Sequence, residues 1–116
     1  MEQQPKILLV ENDQEQSDAF SDVSKGIFDL EVADNIESAI GRVGVQHYRL
    51  IVLDPKIDDG VLIRRLIAFF KEAKVPVMIF GERFPGANGY PVLSRKDRGM
   101  FISKVSGLLD RVAAPV

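Results

Sequence analysis

The chain has 116 residues, 46% of them apolar and 28% charged, a balance that suits one packed domain and argues against disorder. Its 15 Lys and Arg stand against 17 Asp and Glu, a net charge of −2, which excludes the usual basic, phosphate-tracking nucleic-acid binder. There is no cysteine, and His47 is the single histidine, so disulfides, thiolate metal sites, a Cys nucleophile and a His cluster for zinc are excluded as well.

The N-terminus lacks a signal-like apolar stretch, and no apolar run approaches the ~20 residues of a membrane helix. A soluble, cytoplasmic domain with no membrane or direct nucleic-acid partner is therefore expected. Lys6-Ile-Leu-Leu-Val10 is a short β-rich run followed by turn-forming polar residues, the mark of a buried strand. Asp13-Gln-Glu-Gln16 offers an N-cap acid with a Gln three residues on, a capping box for a first helix. Ala19, Phe20 and Val23 form its expected apolar stripe and Gly26 its stop. Phe28-Asp-Leu-Glu-Val32 alternates like an edge strand. Asp34-Asn-Ile-Glu37 repeats the capping box before Ile36, Ala39, Ile40 and Val43, which hold i, i+3, i+4, i+7 spacing up to Gly44.

Leu50-Ile-Val-Leu53 is apolar throughout, as a parallel strand buried on both faces should be. Asp58-Asp-Gly60 reads as a turn and cap. Ile63, Leu66, Ile67 and Phe70 then hold helical spacing, and Val75-Pro-Val-Met-Ile-Phe80 reads as another strand with Pro76 at its start. Phe101, Val105, Leu108, Leu109 and Val112 form the stripe of a last helix. Strands alternating with helices imply a parallel sheet covered on both faces.

Between Phe80 and Val92 stand Gly81, Pro85, Gly86, Gly89 and Pro91, too many breakers for a regular helix. Eleven extended residues span about 36 Å, enough to return along a strand of ~17 Å. A fifth strand around Val92-Leu93 is thus expected to be parallel, reached by a bare loop. The rival is a hairpin turning at Asn88-Gly89.

Ile7-Leu-Leu-Val-Glu-Asn-Asp13, Leu50-Ile-Val-Leu-Asp54 and Val75-Pro-Val-Met-Ile-Phe80 resemble the strand signatures of receiver domains of two-component response regulators. The resemblance covers almost the whole of residues 1–116, taken as a single receiver-like domain, and is weakest from Gly81 to Lys96. It implies a flavodoxin-like, doubly wound α/β fold. The five parallel strands would run in the order 2-1-3-4-5, with helix four replaced by the Gly/Pro-rich loop. It also implies a site at the carboxyl ends of the first and third strands, with Glu11, Asn12 and Asp54 together. In the family an aspartate ending the third strand accepts a phosphoryl group. Mg²⁺ on that aspartate and an acidic pair offsets its charge, and a Ser/Thr and a Lys complete the pocket.

By the resemblance, Asp54 holds the phosphoacceptor position and Glu11 that of the first acid; these two are the metal ligands if Mg²⁺ binds. Asn12 replaces the second acid with a neutral amide, which lowers affinity for a hard cation, and Asp13 lies one residue further on. Gly81 occupies the Ser/Thr position and removes its hydroxyl. Leu93-Ser94-Arg95 makes Arg95 the stand-in for Lys, while counting back from the last helix selects Ser94. Pro55 deletes a backbone N–H beside the acceptor.

Each of these residues also has an ordinary reading. Glu11-Asn12-Asp13 can be a strand end and helix cap, and Asp54-Pro55 a polar turn. Arg64-Arg65 and Ser94-Arg-Lys-Asp-Arg98 read as solvated charge, and His47 as surface. The periodicity turns Phe70 inward, leaving Phe69 to cover the sheet margin or mark an interface. Phe84 and Tyr90 either pin their loop or anchor a partner.

The expected function is a degenerate, pseudo-receiver module acting through a protein partner, an attached output domain or a homodimer. It is not an enzyme, and no cofactor is required. The alternatives are a divergent working receiver, phosphorylated on Asp54 by a histidine kinase with Mg²⁺, and a small flavodoxin-like cofactor binder or enzyme. Against the last, the sequence has no Gly-rich phosphate loop, nucleophile elbow or nucleophile–base pair.

Overall fold

The computed structural model describes residues 4–57, 61–82 and 89–112; of Val61 and Val112 only the backbone is described. Five strands form one parallel sheet in the order β2-β1-β3-β4-β5, namely β1 (Lys6–Val10), β2 (Asp29–Ala33), β3 (Leu50–Leu53), β4 (Val77–Phe80) and β5 (Val92–Leu93). The α-helices are α1 (Gln14–Ser24), α2 (Ile36–Val45), α3 (Val61–Ala73) and α4 (Phe101–Val112).

Alternation along β1 divides the core. Leu8 and Val10 point to the side packed by α2 and α3, where Ala39, Leu66 and Phe70 are fully buried. Ile7 and Leu9 point to the side packed by α1 and α4, with Phe20, Phe101 and Val105. This two-sided covering is why Leu50–Leu53 carries no polar residue.

The fifth strand is parallel, as expected: Ile79 pairs with Val92 and Phe80 with Leu93. Among the described residues no helix lies between β4 and β5. The Asn88-Gly89 hairpin is excluded by this pairing, although Asn88 itself, with Phe84 and the Asp58-Asp-Gly60 turn, falls outside the described residues.

Four local expectations need correction. In α1 the inward face is Gln16, Ser17, Phe20 and Ser24, while Ala19 and Val23 are exposed. Phe20 sets this rotation. Its ring stacks on Phe101 at 4.1 Å and meets Phe80 edge-on at 5.0 Å, and small serines follow it inward. The first capping box is half made: the Asp13 carboxylate accepts from the Gln16 N–H, but the Asp13 N–H donates to Glu11. The cap of α2 is Asn35, not Asp34, its side chain accepting from the Ser38 N–H at 2.7 Å. Gly44 does not stop α2, which runs on to Val45.

Candidate functional site

Parallel β1 and β3 end side by side, Val10 opposite Leu53, so the next residues of both, Glu11 and Asp54, emerge together at the switch point of the sheet. Both are almost completely buried, at 1% and 2% exposure, which is unusual for carboxylates. Asp54 is held by its own chain. Pro55–Ile57 form a 3-10 turn in which the Lys56 N–H donates to Asp54 Oδ1 at 2.9 Å. The first N–H past the proline thus supplies the hydrogen bond that Pro55 cannot.

Across the pocket, Arg95 follows β5 and places Nη2 2.5 Å from Asp54 Oδ1. Its guanidinium lies over the Phe80 ring, 5.2 Å from the centroid, and covers Gly81. Gly81 has φ +124°, and a β-carbon built there would stand 3.3 Å from Arg95 Nε. A Ser or Thr at this position would be strained in its backbone and would press on the guanidinium. Glycine and arginine therefore fit each other. The small residue leaves the space that the wide planar head group fills.

Glu11 is the other distinctive group. Its Oε2 accepts weakly from the Asp13 N–H at 3.3 Å, and its Oε1 is buried without a partner among the described residues. Burial pushes its carboxyl up to about 8, helped by the Asp54 carboxyl beside it. The Asp13 N–H and the charge of Arg95 pull the other way. At neutral pH the Glu11 carboxyl therefore keeps its proton, while the Arg95 guanidinium lies on Asp54.

The remaining predicted residues do not join the cluster. Asn12 and Asp13 are exposed, Asp13 being spent on the α1 cap. Among the described residues no three His, Cys, Asp or Glu side chains gather as a metal site. A divalent cation does not fit these residues. Its place beside Asp54 carries a guanidinium, and the residue after Glu11 is an exposed neutral amide, Asn12.

Phe69 and Tyr90 are half-buried against the core on the α3 side, and Lys71 Nζ lies 5.8 Å from the Tyr90 ring centre. His47, Arg64 and Arg65 are exposed. The sequence reading missed Glu31 on the edge strand, which accepts from Tyr48 Oη at 2.7 Å, Lys6 Nζ at 2.9 Å and Arg42 Nη1 at 3.1 Å. A carboxylate in an alternating strand, next to a strand that begins with Lys, is the signal that could have found it. This network ties the otherwise exposed edge strand to α2 and β1.

Replacing Arg95 with Ala strands a buried carboxylate. The expected loss is about 2 kcal/mol at neutral pH, below the usual cost of breaking a buried pair because the Arg95 side chain is 35% exposed. Urea unfolding would read it.

No protein-family model and no curated protein matches this chain. Solved structures do. A two-component response regulator from Clostridium difficile superposes with TM-score 0.74 at 23% identity, covering 96% of this chain and all of that one. A CheY-like response regulator receiver domain from Methanospirillum hungatei gives 0.73 at 17%, covering 96% and 98%. The receiver domain of NtrC4 from Aquifex aeolicus gives 0.70 at 17%, covering 95% and 99%. At such identities the likeness is one of fold: this chain has the CheY-like sheet order and flanking helices.

Proposed function

We propose that residues 1–116 form one receiver-like signalling domain that acts mainly through protein–protein contacts, with phosphoryl switching at Asp54 impaired or lost. The observation that carries this reading is the Arg95 guanidinium on Asp54, seated in the space over Gly81. A transferred phosphoryl group adds ~1.5 to 2 negative charges and needs donors and a counter-ion around it. Here Oδ1 of the acceptor is engaged by both Arg95 and the Lys56 N–H, the metal ligands are reduced, and position 81 has no hydroxyl to report the modification. Among the described residues no helix is long and apolar enough to cross a membrane, which is compatible with the cytoplasmic setting we assign.

The test is incubation of the full chain with acetyl phosphate and Mg²⁺, followed by intact-mass measurement. We expect no stoichiometric adduct. An acid-stable, hydroxylamine-labile phosphoryl group on Asp54 would overturn the reading in favour of a divergent working receiver. That second reading is supported by the family-like juxtaposition of Glu11, Asp54 and a cation, and it predicts beryllofluoride-dependent shifts of the amides around Asp54.

A further inference from the structure

The outer strand of the sheet, β2, pairs with β1 alone. The Asp29 N–H donates to the Pro5 carbonyl and the Glu11 N–H to that of Ala33, so residues 29, 31 and 33 turn their backbone groups toward β1. Alternate residues of a parallel ladder face opposite edges, which leaves the N–H and C=O of Leu30 and Val32 pointing outward. No backbone partner meets them among the described residues.

This edge lacks the devices that usually keep a strand from pairing further. Five successive residues hold register with β1, so there is no bulge, and none of the five is proline. Its two acids are satisfied within the chain. Asp29 pairs with Lys6 at 3.2 Å, and Glu31 takes hydrogen bonds from Tyr48, Lys6 and Arg42. The opposite edge, β5, has only two residues.

The serines that α1 turns inward leave room beside this edge. Two adjoining hollows of about 330 and 370 Å³ meet at Ser21; Ser17 and Val32 line the first, Ser24 and Leu30 the second. Ser24 is 1% exposed, and its Oγ has no hydrogen-bond partner among the described residues. A buried hydroxyl in that state is uncommon, and it stands where a further chain would lie. The charged residues lining the first hollow are Glu11, Asp18, Asp34 and Arg42. Glu11 is buried and Arg42 reaches Glu31, whereas Asp18 and Asp34 are exposed and in no ion pair among the described residues. The Val32 end of the groove therefore suits a cation.

We infer that the β2 edge docks an extended segment of a protein partner. The segment adds as a sixth strand through the backbone of Leu30 and Val32, with a Lys or Arg set beside Asp18 and Asp34. Leu30 and Val32 turn their side chains to the α1 side, so the segment's apolar residues lie beside them there. This surface gives the proposed interaction role its location and rests on that reading.

Amide NMR of the full chain tests it, with the blocked peptide acetyl-Lys-Thr-Val-Thr-Val-Thr-Lys-amide as probe. Its valines and both lysines share one face, and its sequence is the same in either direction. Saturable shifts, greatest at the Leu30 and Val32 amides and half-complete at or below about 1 mM, are expected. Of two such peptides N-methylated on alternate residues, each with one edge blocked, one should bind about tenfold or more weakly than the other. Glu in place of both lysines should weaken binding by about tenfold or more. Shifts absent from Leu30 and Val32, equal binding of the methylated pair, or indifference to the Lys-to-Glu change overturns the inference. Movement of these two amides with protein concentration alone gives the edge to a second copy and overturns it equally. A phosphoryl adduct on Asp54 would sink the proposed loss of switching and leave these peptide results standing, so the two readings fail separately.

Discussion

Glu11→Gln is expected to leave stability unchanged near pH 4 and to raise it by on the order of 3 kcal/mol near pH 8. Folding places this carboxyl at 1% exposure beside Asp54, and its ionisation is pushed up to about 8. In the unfolded chain the same group ionises near its ordinary 4.5. Between those values the folded state holds a proton that the unfolded state has released. The stability linked to Glu11 is thus complete below the unfolded value and is lost as pH rises toward the folded one. Glutamine has the shape of the protonated acid and keeps a donor for Asp54, so the variant should lack this dependence. Urea midpoints measured at several pH values would read the effect; parallel wild-type and variant curves would show that Glu11 ionises in the folded chain near its ordinary value.

Phe70→Ala is expected to cost about 3–5 kcal/mol, against roughly 1 kcal/mol for Phe69→Ala. The residues are adjacent in α3, and their rings are 6.1 Å apart. Phe70 is fully buried against the sheet with Leu66 and Ile63, whereas Phe69 is half-buried at the margin. Truncating the first opens a cavity that the fixed β3 and β4 strands cannot fill by collapse. Truncating the second exposes a shallow depression to water. Denaturant unfolding of the two variants would separate them, and equal losses would mean that α3 is rotated from the face its periodicity selects. A Phe69→Ala loss near zero combined with a change in self-association would instead give that ring an interface role.

The sequence by itself determined the order and type of the elements. Leu50–Leu53 and Val77–Phe80 are short and apolar on both sides because both faces of a parallel strand are covered, and this is readable from the residues alone. The spacing of Ile63, Leu66, Ile67 and Phe70 likewise set the buried face of α3, since packing there obeys the helical repeat. Where a single large side chain outweighs the average pattern, the reading slipped. Phe20 turned α1 so that serines went in and Val23 came out. Caps slipped for a related reason: Asp34 and Asn35 both suit an N-cap, and only the chain's path chose between them.

At the pocket, Glu11, Asp54 and Arg95 were marked as candidates through the resemblance of their strand signatures to receiver domains. That Arg95 grips Asp54, over a glycine whose missing β-carbon makes the room, was decided by tertiary structure alone, as was the burial that pushes the Glu11 carboxyl upward. These are properties of distance and of exclusion from water, between residues 41 and 43 positions apart in the chain. No local pattern encodes them, because the groups acquire their charge states only when the sheet brings them together and closes over them.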